Sequence, residues 1–319
     1  MSLFEKGTLV PTRDGFGKGL VKLGEKYDDL ALVSADLEDA TRAEEFMKRF
    51  PKRSFSVGIA EQNMVGLAAG LSLSGLRVFT NSFAAFLTNR AYDQIRISVA
   101  YNELPVKLVG SHGGLTVGPD GGTAQSLEDI ALMRVIPGMQ VVVPVDANEA
   151  FRATEALYAL DAPAYMRVFR PPSPVITDLE ETFEIGKAKI LKEGSDMAII
   201  GCGIILNEAL LAAEKLDSEG INARVVNMHT VKPLDTATIL SAASTGAVLV
   251  VEDHQISGGL GGAVAEYLLA ESPVVFGQVG VRDSFGESGE PGELLEKYGL
   301  SADSIYQKAL RLFKRKTEK

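Results

Sequence analysis

The sequence is poor in several residue types that define whole classes of proteins. Its 319 residues include one cysteine, three histidines and no tryptophan. A single cysteine excludes an intrachain disulfide, and the histidines and cysteine form no cluster with zinc-site spacing. There is no run of about eighteen apolar residues, and the amino-terminal segment has no apolar core of a signal peptide. From these absences we expect a soluble, cytoplasmic protein.

Basic residues are also fewer than acidic residues. The chain has 32 Lys and Arg residues against 42 Asp and Glu residues, which gives a formal net charge of -10. An acidic surface disfavours binding to nucleic acid or to an anionic membrane, so we expect neither partner. The hydrophobic share of 46% and the charged share of 23% are those of a globular protein and exclude a disordered or collagen-like chain.

Short apolar runs alternate with helical stretches along the chain, a pattern typical of parallel sheets with crossover helices. Residues 170–174 (RPPSP) interrupt this pattern, because proline can continue neither a helix nor a central strand. The sequence therefore predicts an α/β fold of two doubly wound domains, residues 1–175 and 185–319, with the boundary near residue 180. A charged carboxyl-terminal tail is expected after a last strand at residues 274–279.

Glu61 stands out within the segment SVGIAEQNMVGLAAG, which predicts a buried helix rich in small residues. A buried carboxylate costs several kcal/mol unless it is paired or protonated. Two interpretations follow from the residue alone. Glu61 either has a chemical task or stabilises the helix amino terminus, where the helix dipole favours an anion.

Two further segments carry candidate binding residues. Phe83 and Phe86 lie three residues apart, which fits either ordinary core packing or a flat apolar slot for a planar ring. The glycine-rich loop GSHGGLTVGPDGGTAQ holds His112 and Asp120, and its glycines would allow a ligand to approach the backbone closely. His112 directly follows a predicted strand, at the end of the sheet where open α/β folds bind ligands, although it could also be a neutral surface histidine.

In this order, these segments resemble the carboxyl-terminal half of transketolase, and in particular the smaller chain of split transketolases, in which two chains form the enzyme. The resemblance covers nearly the whole sequence. It implies the pyrimidine-binding domain of a thiamin diphosphate enzyme followed by a transketolase C-terminal domain. It rests on the motifs TRDGFGKGL, VSADL, GIAEQNM, SFAAFLTNRAYDQIR, HGGLTVGPDG, VVVPVDANEA and VEDHQISGGLGGAVAE.

The resemblance implies a reaction and a role for the cofactor-binding residues. A two-carbon ketol unit would pass from a ketose phosphate to an aldose phosphate, as in the pentose phosphate pathway. Glu61 would be the catalytic carboxyl group, hydrogen-bonded to a pyrimidine nitrogen of thiamin diphosphate so that the cofactor can be deprotonated. Phe83 and Phe86 would enclose the pyrimidine, and Asp36 would lie near the cofactor.

The same resemblance implies the substrate-binding residues. His112 would lie near the sugar phosphate, and Asp120 would bind a sugar hydroxyl. Arg13 and Arg167 match positions at the phosphate end of the sugar, and guanidinium groups are well suited to binding phosphate. One departure concerns Ala124, which stands where typical transketolases have a histidine that contacts the donor, so the sugar specificity is left open.

The chain also lacks the half of transketolase that binds the diphosphate and Mg²⁺. We therefore expect activity only with an N-terminal transketolase subunit, in an α2β2 assembly with contact between copies of this chain and with no metal ligands of its own. Two other functions remain open. One is the β subunit of a pyruvate-type 2-oxoacid dehydrogenase, or an enzyme like 1-deoxyxylulose-5-phosphate synthase. The other is a non-catalytic binding module that keeps the fold.

Overall fold

The computed structural model describes residues 3–318. The first half of the chain alternates strands and helices in the order that the apolar pattern predicts. Its elements are β1 (Leu9–Pro11), α1 (Thr12–Lys26), β2 (Leu30–Ser34), α2 (Glu44–Arg49), β3 (Ser54–Ser56), α3 (Glu61–Leu73), β4 (Arg77–Phe83), α4 (Ala84–Arg90), α5 (Tyr92–Gln94), β5 (Lys107–Ser111), α6 (Asp129–Val135), β6 (Gln140–Val142), α7 (Ala147–Ala159), β7 (Ala164–Arg167) and β8 (Pro172–Pro174).

The second half repeats the alternation on a smaller scale. Between β8 and the next strand, residues 175–188 contain no assigned strand or helix. The division of the chain at residues 175 and 185 stays a prediction. The elements that follow are β9 (Lys189–Lys192), β10 (Met197–Gly201), α8 (Leu206–Ser218), β11 (Ala223–Asn227), β12 (Thr230–Lys232), α9 (Thr236–Ala243), β13 (Ala247–Gln255), α10 (Leu260–Glu271), β14 (Val275–Val281), α11 (Pro291–Lys297) and α12 (Ala302–Thr317).

Two sheets organise the fold. The first has seven strands in the order β12-β6-β7-β5-β4-β2-β3, and all neighbouring pairs are parallel except the edge pair of β12 with β6. The second has five strands in the order β14-β13-β10-β11-β9, with β9 as its antiparallel edge. Central strands such as β2, LALVS, are buried along their whole length, as expected for parallel sheets covered by helices on both faces. The predicted α/β class is confirmed.

Three local predictions were wrong. The charged carboxyl-terminal tail is two helices, α11 and α12, and α12 buries Ile305, Ala309 and Leu312 at helical spacing while its charges face outward. The sequence pattern predicts a single helix over residues 86–98, but the structure divides this segment into α4, α5 and a π-helical turn at Ile95–Ala100. The outer face of α3 is not buried, and Leu73 at its end is 73% exposed.

The parallel arrangement determines where functional side chains can meet. Strands β7, β5, β4 and β2 are neighbours, so the segments that follow them emerge at one edge of the sheet. These segments contain most of the candidate residues, and open α/β sheets bind ligands at this carboxyl edge. Within residues 3–318, no helix combines the length and apolar character needed to cross a membrane.

Candidate active site

Glu61 is the first residue of α3, and its side chain is only 1% exposed. Ser82 Oγ at the end of β4 donates to Glu61 Oε1 at 3.1 Å, and Arg90 Nη1 lies 3.2 Å from Oε2. The helix terminus and these two donors stabilise an anion at this position, so the buried carboxylate is accommodated. Glu61 therefore does stabilise the amino terminus of α3. Whether it can also take part in chemistry depends on the groups around it.

Those neighbours are stacked rings. The guanidinium carbon of Arg90 lies 4.6 Å from the centroid of Phe86, which connects the carboxylate to the aromatic side chains. Phe86 stacks on Phe83 with centroids 5.4 Å apart, and Phe83 stacks on His112 at 3.8 Å. Both phenylalanines are only partly buried. Their rings therefore form a flat apolar surface beside a buried carboxyl group, rather than ordinary core packing.

His112 occupies the far end of this stack, immediately after β5. Arg13 Nη1 lies 3.4 Å from its Nε2, and Ser111 Oγ lies 2.9 Å from its Nδ1. A guanidinium group can only donate, so Nε2 is the acceptor and the ring proton is on Nδ1. Burial, and then the charges of Arg13 and two further arginines, lower the pKa of His112 to about 3. His112 is therefore neutral at physiological pH and acts through hydrogen bonding rather than charge.

A cationic cluster surrounds the histidine. Arg13 donates to the carbonyl of Ala40 at 2.7 Å, and its buried Nε has no hydrogen-bond partner among residues 3–318. Arg170 Nη1 lies 2.9 Å from Asp120 Oδ1 and also donates to the carbonyl of Val117. In a chain with a net charge of -10, this concentration of arginines marks a site for an anionic group.

Two expected residues lie differently. Asp36 follows β2 at the same sheet edge, is exposed, and has a left-handed backbone with φ 61°. Arg167 is 1% exposed, and its guanidinium donates to the carbonyls of Ser126 and Asp253. Because it is enclosed by these contacts, Arg167 does not present its charge to the cluster. The arginine that does so is Arg170, three residues further along the chain.

Sequence reasoning did not identify Ser82, Arg90 and Arg170 as parts of the site. A signal was present for Arg90, since it lies four residues after Phe86 on one helix and such pairs are neighbours. In the sequence, Arg170 belongs to the proline-rich segment 170–174, which carries no signal for a binding residue. Its position after β7, next to the strand that leads to His112, depends on the strand order and cannot be derived from local pattern.

Metal ligands are the missing component. Among the residues that the structure describes, no group of three or more His, Cys, Asp or Glu side chains could hold a metal ion. Asp120, the acid in the glycine-rich loop, is paired with Arg170 instead. The site brings together a carboxyl group, aromatic faces and arginines.

Comparisons with known proteins agree with this arrangement. The family models "Transketolase, pyrimidine binding domain" and "Transketolase, C-terminal domain" match residues 9–174 and 186–305. The chain belongs to the transketolase family. Human transketolase is 38% identical over 309 residues, but the match covers 95% of this chain and only 49% of the human protein.

Within the family, two relatives of similar length have names that describe one section or one subunit of the enzyme. A "putative transketolase C-terminal section" from Methanocaldococcus jannaschii is 44% identical, covering 95% of this chain and 96% of that protein. A "6-deoxy-6-sulfo-D-fructose transketolase subunit" from Clostridium sp. (strain MSTE9) is 45% identical and covers 95% of both. A solved structure described as "split gene transketolase, inactive beta4 tetramer" has a TM-score of 0.90 at 42% identity, covering 96% of this chain and 99% of that one. The resemblance to the C-terminal section of a split transketolase is confirmed.

Proposed function

We propose that this chain is the substrate-binding and pyrimidine-binding subunit of a two-chain transketolase. It would transfer a two-carbon ketol unit from an anionic ketose to an aldose phosphate. The observation that carries the proposal is the continuous row of Glu61, the stacked aromatic rings and the arginine cluster along one sheet edge. A binding module without chemistry would not require a carboxyl group buried at one end of a ligand site.

The residues present fit one end of thiamin diphosphate, the cofactor of the transketolase family. A buried carboxyl group beside two partly exposed phenylalanine rings suits an aminopyrimidine, which offers a ring nitrogen to hydrogen-bond and a flat face to stack. The chemistry supplied by the bound cofactor is nucleophilic attack on the ketose carbonyl. Glu61 would hold and exchange a proton at its carboxyl oxygens, Phe83 and Phe86 would position the ring, and Asp36 would border it.

The arginine cluster would bind the anionic end of the sugar. Arg13, whose Nε has no hydrogen-bond partner within residues 3–318, and Arg170 would supply charge, while neutral His112 would supply a hydrogen bond. Asp120, held by Arg170, would accept from a sugar hydroxyl. Arg170, rather than Arg167, would bind the phosphate, because Arg167 is buried and donates to backbone carbonyls of both halves of the chain.

Ala124, which stands where typical transketolases have a histidine that contacts the donor, is buried in the glycine-rich loop and has no polar side chain. The Clostridium relative acts, by its printed name, on a sulfonated ketose. Phosphate and sulfonate both present oxygens that guanidinium groups can bind. The proposed substrate class is therefore a ketose with a terminal anionic group.

Partners complete the proposed enzyme. An N-terminal subunit would bind Mg²⁺ and the diphosphate. This dependence is supported by the related structure named as an inactive tetramer of β chains and by the match to only 49% of human transketolase. Contact between copies of this chain would use the outer face of α3, where Gly66 and Gly70 have open space around them. Apolar side chains border this face, with Ile59 and Leu73 both more than two-thirds exposed. We propose an α2β2 assembly; a cytoplasmic location stays a prediction.

The reaction class is tested on the chain reconstituted with its N-terminal partner, thiamin diphosphate and Mg²⁺. We expect turnover of xylulose 5-phosphate or 6-deoxy-6-sulfofructose with ribose 5-phosphate as acceptor, measured by chromatography of the sugar products. The proposal fails if pyruvate is consumed while both ketoses stay intact, since that result assigns the chain to the 2-oxoacid dehydrogenases. It also fails if calorimetry shows no cofactor binding by the complex, as expected for a non-catalytic module.

The anion site predicts the effect of replacing Arg170. In the reconstituted enzyme, Arg170→Gln should raise KM for the anionic ketose on the order of tenfold or more, because a charge-assisted contact is lost. KM for neutral xylulose should change far less. Arg77→Gln is the matched control, since Arg77 also pairs with an exposed aspartate but lies at the opposite, amino end of β4. Equal effects on charged and neutral ketoses would contradict the anion role.

A further inference from the structure

The glycine-rich loop that carries His112 and Asp120 is held from the other half of the chain. Asp253, in the last part of β13, is 3% exposed and aims its carboxylate into this loop. Its Oδ1 accepts from the backbone N–H of Leu115 at 2.8 Å, and its Oδ2 accepts from Thr116 Oγ1 at 3.1 Å. Charge-assisted hydrogen bonds of this kind are about twice as strong as neutral ones.

The fit between Asp253 and the loop leaves no spare room. A Cβ atom placed on Gly114 would lie 2.0 Å from Asp253 Oδ2, and Gly114 has φ +83°. Position 114 therefore requires glycine both for its backbone conformation and for the approach of the carboxylate. Gln125 continues the attachment, because its Nε2 donates within the loop and to the carbonyl of Glu287 at 2.9 Å.

Arg167 lies beside the buried Asp253, and its ion-pair partner is Asp129, whose Oδ2 lies 3.5 Å from Arg167 Nε. Its guanidinium donates to the backbone carbonyl of Asp253 at 2.8 Å, and its side chain packs so close to Gly113 that a Cβ there would lie 1.9 Å from Arg167 Nε. Burial raises the pKa of Asp253, and the nearby positive charge of Arg167 opposes that rise. Asp253 and Arg167 thus form one buried contact between the two halves, directly beneath the loop.

We propose that Asp253 is a positioning residue that locks the glycine-rich loop in the conformation that places His112 and Asp120 at the substrate site. The second half of the chain, which contributes no residue to the cluster itself, thereby takes part in sugar binding. The effect on sugar binding rests on the proposed function. The effect on the loop does not, since it follows from the hydrogen bonds alone.

The experiment compares Asp253→Asn with Asp235→Asn in the full chain. Asp235 is the matched control: it is a buried aspartate of the second half that accepts from two backbone N–H groups and one threonine hydroxyl, but it caps α9 instead of the loop. Hydrogen–deuterium exchange is followed by mass spectrometry on peptides that cover residues 113–122. Asp253→Asn should accelerate exchange of the Leu115 and Thr116 amides on the order of tenfold or more, whereas Asp235→Asn leaves them unchanged.

In the reconstituted enzyme, Asp253→Asn should raise KM for the ketose by a similar factor while the affinity for thiamin diphosphate stays within twofold of the wild type. If Asp253→Asn does not fold, Thr116→Val removes only the hydroxyl donor and should show the same changes at smaller amplitude. If the folded Asp253→Asn variant shows the amide exchange rates and the KM of the wild type, Asp253 does not position the loop. Absence of ketol transfer in the unmodified enzyme would instead overturn the proposed function, and the exchange comparison would still decide on the lock.

Discussion

Assayed without a partner, the purified chain should transfer no measurable ketol unit from any ketose, even with saturating thiamin diphosphate and Mg²⁺. The reason is that this chain matches only 49% of the length of human transketolase, and in the proposed enzyme the N-terminal subunit would hold Mg²⁺ and the diphosphate. Adding the N-terminal subunit should restore turnover, measured as formation of the product aldose.

Two controls make this result informative. The N-terminal subunit alone must also be inactive, because the buried Glu61 belongs to this chain. Sedimentation of the mixture should show a species larger than either chain, with activity following that species as the ratio of chains is varied. Full turnover by this chain alone, at a purity that excludes contaminating transketolase, would contradict the two-chain proposal.

Replacement of Glu61 by Gln should lower kcat of the reconstituted enzyme by a factor on the order of a thousand, within the range for removal of an acid–base group. Glutamine keeps the shape of the side chain and can still accept a hydrogen bond from Ser82, but its amide cannot take up and return a proton. The measurement is steady-state turnover at saturating cofactor, with cofactor affinity determined separately by calorimetry.

Glu149→Gln is the matched control for this substitution. Glu149 is also a buried glutamate, but it accepts from Asn227 and from the backbone of Val145, away from the stacked rings. Burial raises the pKa of Glu149 to about 7, so a neutral amide is a mild replacement there, and turnover should stay within about twofold of the wild type. Near-normal turnover of the Glu61→Gln enzyme would remove Glu61 from the proposed chemistry.

The two phenylalanines and Glu61 show how far sequence pattern reaches. The sequence predicts Glu61 as a candidate site residue from its place in an apolar helix, and the two phenylalanines from their spacing. In the structure, Arg90 contacts both Glu61 and Phe86 and so connects the two groups. The signal for α12 was also present, since Ile305, Ala309 and Leu312 follow helical spacing. The high charge of that segment concealed this signal, although lysine and arginine are common on the solvent face of a helix.

Arg167 and Arg170 show what the sequence pattern cannot predict. Arg167 is the last residue of β7 and Arg170 lies three residues beyond it, and either could bind a phosphate by residue type alone. The structure encloses Arg167 between the two halves of the chain and leaves Arg170 beside Asp120. The direction of the Arg167 side chain depends on the pleat of β7, and that of Arg170 depends on the loop after the strand; what packs against each is not encoded in a local window of residues.

The sequence by itself determined the alternation of strands and helices, the family and most of the residues at the candidate site. This is possible because apolar periodicity and short motifs are local properties of the chain. Only the tertiary structure decided that β12 leaves the second half to join the first sheet, and that Asp253 meets the loop 138 residues before it. Such contacts depend on how the two sheets pack against each other. The hydrophobic pattern of a sequence predicts that a residue is buried, but it does not predict which residue it contacts.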